Sequence, residues 1–469
     1  MIFHKIIRNI VIIYSKNIII YNLMTKFGNN IIIIRKFVII NVDINLYQFM
    51  QQANQLNSSQ QHIFSHLTQA PPDQIFGIMN AYKADTSDKK IDLGVGAYRT
   101  DEEKPYVFDV VKKIEQEIIN DNTLNKEYLP IEGLPDFNKG CQMLLFGKDN
   151  PLIESGRIVT AQCLGGTGAL RVGFDFVKRH LVGDVYVSNP TWSNHNQILD
   201  RTGLNQVNYP YYDPNTKGFN CSATLDCLSQ AKQGSIVLLH VCAHNPTGVD
   251  PTETEWLQIA DVCKARNLIP FFDCAYQGFA SGCIEKDAFA VRKFAELGFQ
   301  MIVAYSFSKN MGLYNERVGA LHIVTPNKEI SAIVLSNLKI VIRTLYSCPP
   351  AIGGRIASRI LCNEKYFKEW IEELNTVTGR IIRMRTLLKN ELDKLNVQGN
   401  WDHITKQTGF FTFTGLTPEQ CDKLTQEHHI YLLRSGRMSM AGITSKNVSQ
   451  LAEAIKIVVQ NECDILLNN

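Results

Sequence analysis

A lysine set among small hydroxyl residues closes the stretch Ile302-Val-Ala-Tyr-Ser-Phe-Ser-Lys309. The apolar run before it reads as a buried strand, so Lys309 stands where that strand gives way to a small-residue turn. Partial desolvation there lowers an ammonium pKa from about 10.4 and frees an amine able to condense with a carbonyl. A solvated lysine after a strand carries the same Ser-x-Ser-Lys pattern, so the chemistry depends on what else the chain supplies.

Four further groups bear on it. Gly165-Gly166-Thr167-Gly168 opens a helix-like run, and backbone N–H groups at such a start form an anion site reinforced by the helix dipole. A purely structural turn would use the same glycines. Leu268-Ile-Pro-Phe-Phe-Asp273 ends an apolar strand in a carboxylate, with Tyr276 three residues on. That acid is either solvated or a buried partner for a protonated ring nitrogen. His244-Asn245-Pro246-Thr247-Gly248 follows another strand as a turn-forming run. Pro190-Thr-Trp192-Ser-Asn-His195 follows a third, with Trp192 offering a flat face to an aromatic ring or simply packing. Taken together, amine, cradle, strand-end acid, strand-end asparagine and stacking face meet the needs of pyridoxal 5′-phosphate. Asp273 would keep its ring nitrogen protonated as an electron sink, and Ser306 and Arg317 would add charge-assisted hydrogen bonds to its phosphate.

The elements that must position these groups follow from hydrophobic patterning. Strands are expected at 184–187, 207–211, 235–241, 268–272, 300–307 and 318–324, alternating with helical stretches such as 252–266 and 287–297. The alternation implies a mainly parallel sheet covered on both faces by helices, whose ligands gather at the carboxyl ends of the strands. A helix is expected near 74–83. Beyond Lys328 the chain becomes more helical, with a long amphipathic pattern over 364–395, a strand-like Gly409–Gly415 and a last helix over about 447–460. The segment Ile91-Asp-Leu-Gly-Val-Gly96-Ala-Tyr98 has glycines suited to close approach of a ligand to the backbone.

Composition narrows the function classes. At 469 residues the chain is long enough for two domains. The net charge of +3 is misleading, because residues 1–42 hold six Lys or Arg and no acid, which leaves the rest at −3. So balanced a body gives no support to nucleic-acid binding. The twelve cysteines form no C-x-x-C pair, and Cys141, Cys163, Cys242, Cys274 and Cys348 sit in or beside apolar segments as reduced core thiols do. No metal is expected: His428 and His429 are adjacent rather than at ligand spacing. No apolar run approaches the roughly 18–20 residues of a spanning helix, so no membrane anchor is expected. The basic, acid-free start suggests a mitochondrial presequence; the alternative is an upstream start before Met50, with a cytoplasmic protein.

Over roughly residues 63–462 the chain resembles the aspartate aminotransferases, class I enzymes of the fold-type I pyridoxal-phosphate group. The resemblance rests on Leu93–Arg99 (LGVGAYR), Glu127–Ile131 (EYLPI), Gly166–Arg171 (GTGALR), Pro190–Asn196 (PTWSNHN) and His244–Gly248 (HNPTG). It continues through Asp273–Gly282 (DCAYQGFASG), Ser306–Gly319 (SFSKNMGLYNERVG) and Ser435–Gly442 (SGRMSMAG). It implies an α/β fold with a smaller α+β domain built from both ends of the chain. The expected division is an extension 1–62, a small-domain segment 63–106, a cofactor domain 107–376 and a small-domain segment 377–469. By matching position it implies that Lys309 bonds the cofactor and shuttles a proton, and that Asp273 pairs with the ring nitrogen, supported by His195. Tyr276 and Asn245 would hydrogen-bond the ring hydroxyl oxygen, and Trp192 would stack on the ring. Gly166, Thr167, Ser306, Ser308 and Arg317 would bind phosphate, joined by Tyr128 from a neighbouring subunit. Arg437 would clamp the substrate α-carboxylate near the Gly96 backbone, Trp192 and Asn245, while Arg343 would cross from the partner to the distal carboxylate.

The implied enzyme is thus a homodimer with shared sites, exchanging amino groups between amino- and 2-oxo-dicarboxylic acids. Cys348 stands where the family usually has asparagine, and Glu132 where a small or apolar residue is commoner. An aromatic or broad-specificity class I aminotransferase is the rival within enzymes, and a nucleotide-like binding module the rival outside them.

Overall fold

Ile236-Val-Leu-Leu-His240 is buried along its whole length, as a central strand covered on both faces must be. Its side chains alternate: Ile236 and Leu238 join one apolar layer, Val237 and Leu239 the other. Met301–Ser306 repeats the pattern, with Ile302 and Ala304 on the first side and Val303 and Tyr305 on the second. Two helical layers therefore sandwich one sheet.

A computed structural model describes residues 63–70 and 74–467. The chain divides into two units, Met1–Pro72 and Asp73–Asn469. Of the first, only 63–70 is described, a short turn in which the Leu67 N–H donates to Phe64 O at 3.0 Å. The expected leader lies outside the described residues.

In chain order the strands of the second unit are β1 Ile91–Asp92, β2 Ile158–Leu164, β3 Val185–Asn189, β4 Gln206–Pro210, β5 Tyr212–Asp213, β6 Gly218–Phe219 and β7 Ile236–His240. They continue as β8 Ile269–Cys274, β9 Met301–Ser306, β10 Val318–Val324, β11 Phe411–Phe413, β12 Ile430–Tyr431 and β13 Arg437–Ser439. Seven form the main sheet in the order β2-β10-β9-β8-β7-β3-β4. The run from β9 to β4 is parallel, and β10 is antiparallel to both its neighbours. The reversal at β10 arises because the connection 307–317 folds straight back, pairing Gly319 with Ser306. That fold-back loop carries Lys309.

Strand β2 escaped the hydrophobic reading because Thr160 and Gln162 interrupt it. Both are buried yet satisfied: Thr160 Oγ1 accepts from Gln142 Nε2 at 2.8 Å, and Gln162 Nε2 donates to Pro350 O at 2.9 Å. The helix expected over 287–297 is in fact two, Ile284–Asp287 and Phe289–Glu296. Asp287 is drawn aside, accepting from the Gly278, Ala280 and Ser281 N–H groups. Of the five thiols read as core, Cys348 is only half-buried.

Outside the main sheet, β1 pairs in parallel with β12, joining the two ends of the unit, and β11 pairs with β13 so that Phe413 faces Arg437. The 31-residue helix Glu364–Lys394 braces this region. Its buried Arg385 donates to the carbonyls of Ile404, Thr408, Gly409 and Phe411 and to Thr412 Oγ1. No helix among the described residues is long and apolar enough to cross a membrane.

Gly319 is where the sheet and the glycine-rich turn meet. A Cβ there would lie 2.5 Å from Tyr305 O and 2.6 Å from the Gly165 carbonyl carbon. Backbone atoms cannot move aside as a side-chain tip can. Gly319→Ala is therefore expected to cost about 1–3 kcal/mol, read as a lowered urea midpoint at unchanged slope.

Candidate active site

Five strand ends and one loop deliver polar groups to a single cavity of about 280 Å³ at the carboxyl edge of the parallel strands. Asp273, near the end of β8, and Ser306, the last residue of β9, both line it. So do Gly166 and Thr167, in the first turn of helix Gly165–His180, which begins directly after β2. Trp192 precedes helix Ser193–Thr202 and lines it too, as do Asn245, Tyr276, Ser308, Lys309, Arg317, Gly96 and Arg437. A larger cavity, at the opposite edge of the sheet, holds none of these groups.

The Lys309 amine is buried and, among the described residues, has no hydrogen-bond or ion-pair partner; it stands over the Tyr276 ring, 5.0 Å from its centroid. Burial is the main reason its pKa falls to about 8, and the Asp273 carboxylate works against that fall. For Asp273 burial pushes upward, but the His195 hydrogen bond and nearby positive charge outweigh it and hold the carboxyl below its ordinary value. Burial likewise draws Arg437 down to about 10.

The hydrogen bonds behind Asp273 start from one unambiguous donor. The Asn245 backbone N–H donates to His240 Nδ1 at 3.3 Å, so His240, whose pKa burial pushes down to about 3, carries its proton on Nε2. That N–H faces Thr191 Oγ1 at 3.3 Å, and Thr191 Oγ1 in turn lies 2.9 Å from His195 Nδ1. His195 Nε2 donates to Asp273 Oδ2 at 3.0 Å. His195 is fully buried and does not line the cavity; it acts on Asp273.

Arg437 lies against the Phe411 ring at 4.2 Å and donates to Gly94 O at 2.6 Å and Asn245 Oδ1 at 3.4 Å. Its buried Nε has no hydrogen-bond partner, and the residue lines the cavity. Gly96 must be a glycine because a Cβ would strike Phe411 Cζ at 2.7 Å. On the opposite side, helix Gly165–His180 starts without a side-chain cap, leaving its first N–H groups open beside Ser306, Ser308 and Arg317. A Cβ at Gly165 would come within 2.7 Å of Arg317 Nη2. Glycine is what allows this approach of backbone and guanidinium.

These features suit pyridoxal 5′-phosphate. An unpartnered amine faces the cavity, a carboxylate held by the His195 hydrogen bond stands ready for a cationic ring nitrogen, and uncapped N–H groups with a guanidinium suit a phosphate. Tyr128 and Arg343 lie outside the cavity. Tyr128 is 87% exposed, and Arg343 is exposed on helix Lys328–Leu345 with Ser347 Oγ as its partner. Thr191, His240 and Phe411 were not singled out from sequence. His240 ends a buried strand and Thr191 sits beside Trp192, so strand-end position was the available signal. Phe411 offered none beyond its alternating segment.

The burial of Lys309 has a measurable consequence for the cofactor-free protein. Below pH 8 both folded and unfolded chains carry the proton, and the burial penalty, about 3 kcal/mol, is fully present. Between about pH 8 and 10.5 only the unfolded lysine is protonated, so stability rises with pH. Lys309→Met is expected to be more stable than the cofactor-free parent at pH 7 and to lose that rise, as measured by urea unfolding at pH 7 and pH 10.

Comparison with known proteins agrees with this geometry. The family model for aminotransferase class I and II matches residues 88–455. Aspartate aminotransferase 3, chloroplastic, of Arabidopsis thaliana is 51% identical over 398 residues, covering 85% of this chain and 89% of that protein. The structure of aspartate aminotransferase from Saccharomyces cerevisiae cytoplasm matches with a TM-score of 0.83 at 42% identity, over 85% of this chain and 98% of that one. The aromatic-amino-acid aminotransferase of Burkholderia pseudomallei, covalently bound to pyridoxal phosphate, matches with a TM-score of 0.83 at 43% identity, over 85% and 99%. With a family model spanning most of its length and a relative at half identity, this chain belongs to the class I and II aminotransferases.

Proposed function

We propose that the chain is a pyridoxal-phosphate-dependent transaminase that carries the amino group of L-aspartate to 2-oxoglutarate, releasing oxaloacetate and L-glutamate in two half-reactions. The observation that carries this reading is one cavity lined by a Lys309 amine without a partner among the described residues, by Asp273 hydrogen-bonded to His195, and by the Arg437 guanidinium. When bound, pyridoxal phosphate supplies an aldehyde carbon for the amino group and a ring that withdraws electrons from the substrate α-carbon.

The chain's own groups do the rest. Lys309 Nζ would hold the cofactor and, once free, would take the substrate α-proton and give it back. Asp273, hydrogen-bonded by His195, would keep the ring nitrogen protonated. Tyr276 and Asn245 would hydrogen-bond the ring hydroxyl oxygen, and Trp192 would cover the ring face. Gly166, Thr167, Ser306, Ser308 and Arg317 would hold the phosphate. Arg437 takes the α-carboxylate by a charge-assisted fork, with the Gly96 backbone alongside.

In this reading the enzyme is a homodimer. Arg343 of the partner subunit binds the distal carboxylate and Tyr128 of the partner subunit reaches the phosphate, which accords with the exposure of both residues outside their own chain's cavity. The β1–β12 pairing, Ile91 with Ile430 and Asp92 with Tyr431, supports joining early and late segments of the second unit in one small domain, although the proposed boundary at 376 falls inside the continuous helix Glu364–Lys394. Curated relatives include chloroplastic and cytoplasmic proteins. The basic residues 1–42 support a mitochondrial address, to be tested by sequencing the mature N-terminus from its native source.

Two outcomes test the assignment. Lys309→Ala should lose both turnover and the visible absorbance of lysine-bound cofactor; retained transamination would remove Lys309 from its role. Arg343→Leu should lower kcat/KM for aspartate by about 100-fold, as expected for lost charge-assisted bonds, and leave phenylalanine unharmed. A parent enzyme that favours phenylalanine over aspartate would instead support the aromatic reading, which the Burkholderia neighbour keeps in view.

A further inference from the structure

Tyr128 and Arg343 sit on segments that share no sheet, yet two ties join them. Lys339 Nζ lies 2.7 Å from Glu132 Oε1. Glu132 is four residues beyond Tyr128, and Lys339 is four residues, about one helical turn, before Arg343 on helix Lys328–Leu345. Among the described residues Glu132 is the only side chain with which the Lys339 amine pairs. The second tie runs through the buried Gln162 of β2. Its N–H donates to Glu132 O at 2.9 Å, its Oε1 accepts from the Leu134 N–H at 3.2 Å, and its Nε2 reaches Pro350 O.

Room for that amide comes from two glycines. A Cβ at Gly133 would lie 2.3 Å from Gln162 Cβ, and one at Gly354 2.5 Å from Gln162 Nε2. Residues 124–130 have no regular secondary structure, so Tyr128 is placed by these ties at one end and by Arg355 Nη2 donating to Asn125 O at 3.3 Å near the other. The same ties hold the turn that follows Arg343.

We propose that the Glu132–Lys339 ion pair, set over Gln162, is a strut that positions Tyr128 and Arg343 together for the neighbouring subunit's cavity. Glu132, Lys339 and Gln162 are thus positioning residues, touching neither substrate nor cofactor. The inference rests on the dimeric reading of Arg343 and Tyr128 given above. Because the ion pair is partly exposed, its effect is modest and sensitive to salt.

The test compares Glu132→Gln, Lys339→Met, the charge-exchanged Glu132→Lys/Lys339→Glu and Arg343→Leu in the full-length holoenzyme. Each is assayed with aspartate and with phenylalanine, and each cofactor-free form is titrated with pyridoxal phosphate. The single variants should raise KM for aspartate about three- to fivefold at unchanged kcat, leave KM for phenylalanine unchanged and weaken cofactor binding by a similar factor. The exchanged pair should restore both. Single variants that match the parent, that impair both donors alike, or that the exchange does not rescue would overturn the strut while the Arg343 effect stands. An Arg343→Leu enzyme with unaltered aspartate KM would overturn the dimeric reading and the strut with it.

Discussion

A carboxylate kept ionised inside an apolar wall is the constraint around which this structure is arranged. Burial alone would protonate Asp273, and a neutral acid could not hold a proton on a ring nitrogen. The chain prevents this with the His195 hydrogen bond and nearby positive charge. A backbone N–H from Asn245 sets the proton on His240, which faces Thr191; Thr191 contacts His195, and His195 presents an N–H to the acid. Since the starting donor belongs to a loop that also lines the cavity, the geometry of that loop and the charge state of the acid are one problem.

The same economy governs Lys309. A protonated lysine could not attack an aldehyde, and burial draws this one toward neutrality while Asp273 limits how far it goes. Opposed effects of a dry site and a nearby anion leave the amine near a working pH, where it can both bond and carry a proton. The sheet topology makes that possible. Asp273 and Ser306 sit at or near the ends of adjacent parallel strands, and the fold-back into antiparallel β10 holds the loop with Lys309 and Arg317 over the same edge.

Much of this was legible in the sequence, for physical reasons. Strands buried on both faces read as continuous apolar runs, so β7, β8, β9 and β10 could be placed to within a residue or two, and the groups at their ends followed. Strand β2 was not legible, because its polar Thr160 and Gln162 are satisfied only by partners far along the chain. The chain behind Asp273 was hidden similarly: nothing local in His240 or Thr191 tells that they face each other across two strands. Periodicity reports burial of apolar groups, whereas paired polar groups are buried at no visible cost in the pattern.

Arg437 and Arg343 illustrate how placement decides what a guanidinium can select. Arg437 is buried, backed by Phe411, and lines the cavity, so a guanidinium with little water around it is offered to an anion at that point. Among the described residues the cavity lining holds just one further guanidinium, Arg317, and it stands against the start of the glycine-rich helix. Under the proposed dimeric reading, discrimination between a dicarboxylate and an aromatic substrate comes from outside the cavity of one chain. An exposed arginine on a helix tied to the Tyr128 loop is the group the fold offers for it. Catalytic power would then reside within one subunit, and choice of substrate between two.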